Sequence, residues 1–467
     1  MKELLNYLKS SIKLNWLHYY DGDRLNTDKN YSGLLYQHTE QKLAQILNSA
    51  GNSRRLTVFI VEKDPLNFIS TFLAGVIAEV DLFICDPTWQ QEWQQVLSIV
   101  KPDTIFGDEP VKLITQSVTQ TETIGVNLKH PLIMIPTGGT SGKIKFAMHS
   151  WSTLSASVAG FKEFFNCKTI DSWCTLPLHH VSGLMQLMRS LLTQGNLVIC
   201  PYKSTSQVQR GTYFISLVPT QLQFLLDTDP DWLKGFKTVL VGGAPARRSL
   251  LDTARDNQIA VSLIYGSTET ASGVVALKPK DFLAGNTSNG RVLPHARISI
   301  ARTTIAAESA EFSKNRAGLI TIASKSLCLG YYPQMFSDRT LTTDDLGYID
   351  LDGYVYILGR NSHKIITGGK NVFPTEVEAA IYATKLVKDV CVLGIDDRHW
   401  GQAVTAVYSP TADGSLDSIE QQIQSQLAKY KQPKNWIEVD CLPRNDLGKI
   451  NYRRLKAIAI QKISVKQ

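Results

Sequence analysis

The sequence predicts an α/β protein: a large N-terminal domain of two α/β sheets plus a β-subdomain, then a small mobile α+β C-terminal domain. Three observations predict it. Strand-like and helix-like segments alternate from about residue 57, which implies parallel sheets with helices on both faces. Beyond residue 270 the helical patterns stop, and short β-like runs separated by Gly and Asn extend to about Leu358. After the polar stretch Arg360-Asn-Ser-His-Lys364 comes a segment long enough to fold as its own domain. The expected domains are 1–361 and 362–467, with the polar stretch Arg360–Lys364 as a candidate hinge.

Taken in order, Thr57–Val61 reads as a strand, Leu66–Ile77 as a helix and Leu82–Cys85 as a strand. Trp89–Val100 reads as helical and Thr104–Gly107 as extended. The apolar stretch Phe68–Cys85 is interrupted by Glu79 and Asp81, so it is a helix followed by a strand and not a membrane span. The rhythm resumes with helices at Ser152–Phe165 and Val181–Leu192. Strands follow at Leu197–Cys200, Tyr213–Val218, Thr238–Val241 and Val261–Ile264. In the last segment Pro374–Tyr382 and Ile419–Tyr430 read as helices, Val390–Leu393 and Val404–Tyr408 as strands.

Bulk properties narrow the class. The net charge of +7 is modest and spread along the chain, with a cluster near the end that includes Lys429, Lys431, Lys434, Arg444, Lys449 and Arg453. That cluster is either a solvated face or an attractor of small anions such as nucleotides. No basic helix or aromatic interleaving argues for nucleic acid. The seven cysteines are scattered and never form Cys-x-x-Cys pairs, so the expectation is reduced thiols, no disulfide framework and no zinc site. Without a signal-peptide pattern, the expected location is the cytoplasm, with no stable membrane insertion. A homo-oligomer is left open.

The chemistry starts at Ile133-Met-Ile-Pro-Thr-Gly-Gly-Thr-Ser-Gly-Lys-Ile-Lys145. An apolar run empties into glycines and hydroxyls closed by Lys143 and Lys145. Glycine permits close backbone approach, so such a loop cradles phosphates with N–H groups, hydroxyls and ammonium charge. It is not a Walker loop, because Thr137 stands where the first Gly is needed and Ile144 follows Lys143. Four more segments join it. Leu176-Pro-Leu-His-His-Val-Ser-Gly-Leu184 sets His179 and His180 at a helix start, where imidazoles often satisfy exposed N–H groups. Leu263-Ile-Tyr-Gly-Ser-Thr-Glu-Thr270 carries one carboxylate, Glu269, suited to Mg2+ or equally to a helix cap. Thr343-Asp-Asp-Leu-Gly-Tyr-Ile-Asp350 runs into Gly353–Arg360 around an Asp352-Gly353 hairpin. Leu442-Pro-Arg-Asn-Asp-Leu-Gly-Lys-Ile450 presents Lys449 on a glycine-bearing loop.

Together and in this order, the five segments resemble the AMP-forming acyl-CoA synthetase superfamily over nearly the whole chain from about residue 55. The resemblance implies ATP, Mg2+ and coenzyme A as partners of a small-molecule acid. It implies a phosphate loop at Thr137, Gly138, Gly139, Thr140, Ser141, Gly142, Lys143 and Lys145. Gly242, Gly243 and Ala244 line the adenine and acyl pockets, Tyr265 stacks on adenine beside Gly266, and Thr268 meets the AMP phosphate. Glu269 is the metal carboxylate, Asp345 falls on the ribose-binding Asp, Arg360 on the arginine that follows it and reaches ribose or phosphate, and Lys449 bridges the substrate carboxylate and the α-phosphate. Gly368, Gly369 and Lys370 border the thioester-forming tunnel.

Within the superfamily, Leu176–Leu184 and Ser216-Leu-Val-Pro-Thr-Gln-Leu-Gln-Phe-Leu225 resemble the 2-succinylbenzoate–CoA ligase family of menaquinone and phylloquinone formation. That likeness places His180, Ser182, Thr220, Gly242 and Ser272 about the acyl group, with His180 close to the chemistry. The nucleotide motifs are shared by ligases of other aryl or fatty acids and by adenylating enzymes that serve a carrier protein. Departures from the superfamily pattern are Gly138, Ile144 and Phe146 in the loop, Asp344 for a common Gly, and Ser362-His363 at the hinge.

Overall fold

The computed structural model describes residues 2–21, 24–26, 29–49, 55–107, 130–138, 144–202, 210–301, 317–444 and 448–466. Strand Thr57–Val61 is buried along its whole length and pairs in parallel with Asp81–Ile84 and Thr104–Gly107. A strand covered on both faces needs a continuous apolar run, which is the pattern the sequence carries here. Asp81–Ile84 pairs in parallel with Ile133–Gly138, and this strand turns back antiparallel into Ile144–His149. These strands form the core of a seven-stranded sheet. Helix Pro65–Ile77 covers it, started by Asp64, whose side chain accepts from Asn67 N–H, and by Pro65 at the first helical position.

A nine-stranded sheet carries the parallel strands Leu197–Ile199, Asp171–Cys174, Tyr213–Leu217, Thr238–Val241 and Val261–Ser267 side by side. The β-subdomain is a four-stranded antiparallel sheet of Ala296–Ala301, Gly318–Ser324, Thr340–Ile349 and Val355–Arg360. A five-stranded sheet, drawn wholly from residues beyond Lys364, makes the centre of the C-terminal segment.

Several elements differ from the sequence reading. Helices do not stop at residue 270, since Pro279–Leu283 forms one with proline at its first position. The helix expected from Trp89 begins at Glu92, because Asp86 Oδ1 accepts from Thr88 N–H and holds a turn first. The helix expected at Ile419–Tyr430 is Leu416–Gln424, started earlier by the Ser415 side chain accepting from Ser418 N–H. Residues before 55 join the fold: Leu17–Asp21 pairs in parallel with Leu197–Ile199, and helix Tyr31–Asn48 sends Leu35 and Ile46 into the core with Phe68 and Phe72. The Asp352-Gly353 hairpin is present as read. Asp350 Oδ1 accepts from Asp352 and Tyr354 N–H at 3.0 and 2.8 Å, and Gly353 takes φ +81°.

Candidate active site

The hairpin Ile133–Gly138/Ile144–His149 puts Thr137 directly opposite Lys145. The loop residues Gly139, Thr140, Ser141, Gly142 and Lys143 lie outside the described residues. Thr137 Oγ1 donates to Glu269 Oε1 at 3.5 Å, and the Tyr331 hydroxyl donates to the same oxygen at 2.7 Å. Lys145 Nζ lies 4.9 Å from the Tyr331 ring centroid, so one tyrosine joins the lysine and the carboxylate.

Glu269 stands on a tight turn after strand Val261–Ser267. Thr270 Oγ1 accepts from Ser267 N–H and donates to the Ser272 carbonyl, at 2.9 and 2.7 Å. Ala271 and Ser272 follow at φ +50° and +83°, a left-handed pair without glycine, and such strain persists only where neighbours over-determine it. Gly266 is required here, since a Cβ would lie 2.0 Å from the Ser272 carbonyl oxygen. Below the turn, buried His149 donates from Nε2 to the Thr268 carbonyl at 2.8 Å, and its Nδ1 meets Thr153 Oγ1 at 3.0 Å.

A second group forms across the hairpin Thr340–Ile349/Val355–Arg360, where Asp345 and Arg360 are register partners. Tyr265 donates its hydroxyl to Asp345 Oδ2 at 2.8 Å, and Arg360 Nε sits 3.7 Å from Oδ1. Burial, then Asp345, raises the Tyr265 hydroxyl pKa, keeping it protonated and donating. Arg360 is half exposed (49%), so this pair orients more than it stabilises. Next to it, Asp344 accepts from Ser362 twice, from N–H at 3.1 Å and from the hydroxyl. Two departures from the superfamily pattern thus touch each other.

Lys449 comes from the C-terminal segment. Gly448 takes φ +71°, and a Cβ there would lie 2.5 Å from Thr220 Oγ1, so glycine lets this loop seat on the first turn of helix Pro219–Thr228. Arg444 ties the loop down, donating to the Gly448 carbonyl at 2.7 Å and to Asp389 at 2.6 Å. Lys449 retains exposed surface, yet its ammonium sits deep enough in the cleft for burial to lower its pKa. Arg360 adds to that lowering and Glu269 opposes it. Lys449 in turn helps to depress His180. Glu269, Arg360, His180 and Lys449, far apart in sequence, therefore share one electrostatic neighbourhood.

His180 starts helix Val181–Thr193 through its carbonyl, which accepts from Gly183 and Leu184 N–H; its imidazole makes no cap bond, contrary to the expected helix-capping role. Ser182 is beside it in that helix, and none of its described hydrogen bonds reaches the groups above; its carbonyl accepts from Gln186. Further along the same helix lies Arg189, which sequence reasoning missed. It is 5% exposed, donates from Nη2 to Ser272 Oγ at 3.0 Å and stacks 4.2 Å over Phe161. Its Nε has no hydrogen-bond partner among the described residues, and burial lowers its pKa to about 10. Tyr331 and His149 were missed too.

Gly242 continues strand Thr238–Val241 so close to Ile264 that a Cβ would lie 2.8 Å from its carbonyl oxygen; Gly243 follows at φ +80°, leading to Ala244. Gly368 and Gly369, at φ +55° and +76°, turn the hairpin Ile365–Thr367/Lys370–Val372, and Lys370 Nζ lies 4.7 Å from the Tyr430 ring centroid. No described contact joins these three residues to Glu269.

The buried histidines make a pH prediction. Burial lowers His149, His180 and His295 to about 4. Unfolded histidine titrates near about 6.5, so the unfolded chain takes up protons first as pH falls. The stability from these neutral rings is full above about pH 6.5 and is lost as pH falls toward 4. Glu378, raised by burial to about 7, acts oppositely: its contribution is present below about pH 4.5 and fades as pH rises through 7. Three groups outweigh one, so acidifying from pH 7 to 5 costs on the order of 2–4 kcal/mol. The urea midpoint at pH 5 should lie clearly below that at pH 7, and equal midpoints would contradict the neutral buried rings.

Among the described residues no helix is long and apolar enough to cross a membrane. Residues 31–332 match the AMP-binding enzyme family and residues 376–449 its C-terminal domain. The chain is 32% identical over 439 residues to 2-succinylbenzoate–CoA ligase of Listeria monocytogenes serovar 1/2a, with 87% of each covered. It is 28% identical over 454 residues to the ligase of the same name from Listeria innocua, covering 90% of this chain and 93% of that one. In fold it is similar to o-succinylbenzoate CoA synthetase (MenE) from Bacillus subtilis in complex with the acyl-adenylate intermediate OSB-AMP, with TM-score 0.77 at 24% identity over 97% and 98% of the two chains. ATP-bound MatB from Rhodopseudomonas palustris gives TM-score 0.77 at 21% identity, over the same shares of the two chains. With its matched two-part architecture, the chain belongs to the AMP-binding enzyme family, within the AMP-forming acyl-CoA synthetase superfamily, and is an AMP-forming acyl-CoA ligase.

Proposed function

We propose that this ligase converts 2-succinylbenzoate, ATP and coenzyme A to 2-succinylbenzoyl-CoA, AMP and pyrophosphate, as menaquinone or phylloquinone formation requires. The observation that carries the choice of acid is Arg189. A buried guanidinium with no carboxylate partner among the described residues, hydrogen-bonded to Ser272, suits an acid that brings a second carboxylate of its own. The similarity to ligases named for this acid supports the same reading.

The carboxylate to be activated attacks the α-phosphorus of ATP, and pyrophosphate leaves. Lys449 neutralises charge between carboxylate and α-phosphate, while Thr137, Lys145 and the loop Gly138–Lys143 hold the outer phosphates. Thr268 meets the AMP phosphate. Asp345, held by Tyr265 and flanked by Arg360, takes the ribose; Tyr265, Gly243 and Ala244 border adenine. One carboxylate beside hydroxyls suits Mg2+, a hard ion that takes oxygen donors and few protein ligands, so Glu269 would hold it, and bound there it neutralises phosphate charge. His180, Ser182, Thr220, Gly242 and Ser272 surround the acyl group. In the second step the C-terminal domain turns about Ser362, Lys449 withdraws, and Gly368, Gly369 and Lys370 border the incoming thiol. The thiol attacks the carbonyl carbon, the C–O bond to phosphate breaks, and AMP departs.

The test is kcat/KM across a panel of acids: 2-succinylbenzoate should lead benzoate and long-chain fatty acids. If either of those leads, the acid named here is wrong.

The Asp344–Ser362 contacts hold the hinge with Lys449 inside the cleft. Removing them by Asp344→Gly should favour rotation by about 1 kcal/mol, roughly fivefold. Single-turnover thioester formation from a supplied acyl-adenylate should speed up by that factor, with adenylation unchanged. An unchanged thioester step would mean that these contacts do not restrain the hinge.

A further inference from the structure

Asp86 and His179 take no part in the chemistry above, yet they stand beside His180. Asp86 lies one residue beyond the buried strand Asp81–Ile84 of the seven-stranded sheet, after Cys85. The two histidines follow strand Asp171–Cys174 of the nine-stranded sheet and lead into helix Val181–Thr193. Two separate sheets thus bring three potential ligands together. One nitrogen from each ring and one carboxylate oxygen all lie within 4.8 Å of one another, and His179 Nε2 is 3.7 Å from Asp86 Oδ1. A tetrahedral zinc ion with bonds of about 2.1 Å spaces its donors by about 3.4 Å, so one pair is almost in place and small side-chain rotations bring in the third. The site is sheltered, with Asp86 and His179 each 16% exposed. The carboxylate is already oriented, because Asp86 Oδ1 accepts from Thr88 N–H at 2.8 Å and Oγ–H at 2.7 Å, as outer-shell donors do for metal ligands.

We propose that Asp86, His179 and His180 form a three-ligand site for a borderline divalent metal ion, with Zn2+ the best fit. Two imidazoles and one carboxylate suit zinc, whereas Mg2+ prefers oxygen donors and keeps its water. Three protein ligands leave a fourth position open to water. The expectation of no zinc site rested on cysteine spacing, and this site uses no cysteine. Occupancy draws His180 away from the acyl group, so zinc slows the ligase even in excess Mg2+; this consequence rests on the proposed function, while metal binding does not.

The experiment is titration of the chelator-treated full chain with Co2+, followed by Zn2+. A single equivalent of Co2+ should produce visible ligand-field absorption, which Zn2+ abolishes. His179→Gln should lose it, and Thr88→Val, which keeps all three ligands, should weaken binding by about 10- to 100-fold. Absorption that is absent, or unchanged in both variants, overturns the site. Binding with no thioester made from 2-succinylbenzoate would leave the site standing and remove the proposed function; thioester formation without Co2+ binding would do the reverse.

Discussion

Replacing Lys449 with alanine lowers the rate of adenylate formation by about 10²- to 10³-fold, the usual cost of one preorganised charge at a reacting centre. Thioester formation from a supplied acyl-adenylate changes little if, as proposed, rotation withdraws Lys449 before the thiol arrives. The size of the effect follows from where the ammonium sits. Burial and the neighbouring Arg360 both work against a cation there, with Glu269 the opposing charge. A charge kept in such a place is stabilised most when phosphate and carboxylate bring negative charge to it, and the less wet surroundings strengthen that attraction. Rapid-quench measurement of pyrophosphate release, set beside single-turnover thioester formation, separates the two steps. Equal losses in both would show that Lys449 supports the fold or binding in general, not the first step.

Arg189→Met lowers kcat/KM for 2-succinylbenzoate by roughly 10²-fold, about 3 kcal/mol, the range seen when one partner of a buried charge pair is removed. Benzoate, with no second carboxylate, loses little, so discrimination between the two acids collapses. Stability moves the other way. Methionine fills a similar volume without a desolvated charge, and replacing buried ionic groups by apolar ones is often neutral or stabilising. The variant should therefore melt at or above the parent temperature. A destabilised variant with discrimination intact would make Arg189 a structural group, its stacking on Phe161 and bond to Ser272 serving the core alone.

How far the molecule could be read from its residues depended on what each signal encodes. The parallel strands were legible because Thr57–Val61, Tyr213–Leu217 and Thr238–Val241 are largely covered on both faces and so are mostly apolar, with only Thr57, Ser216 and Thr238 polar. The motif segments stood out because close backbone approach demands glycine, and the Lys, Glu and Asp beside those glycines are conspicuous. Arg189 was not, since one arginine in an amphipathic helix reads as a solvent-facing position until the fold shows both faces of that helix covered. Tyr331 and His149 reach the Glu269 turn from other strands, a relation with no local pattern. The Asp344–Ser362 contact is similar. Each residue reads alone as a departure, and only the hairpin between them shows that one answers the other. The N-terminal strand Leu17–Asp21 went unread because its register is set by the distant strand Leu197–Ile199.

The most direct measurement uses 2-succinylbenzoate carrying 18O in both carboxylates, incubated with the chain, MgATP and coenzyme A. If a carboxylate oxygen attacks the α-phosphorus and stays with it when the thiol arrives, AMP emerges with a single 18O atom and 2-succinylbenzoyl-CoA accumulates in equal amount. Formation of ADP, or of unlabelled AMP alongside the thioester, would contradict that path.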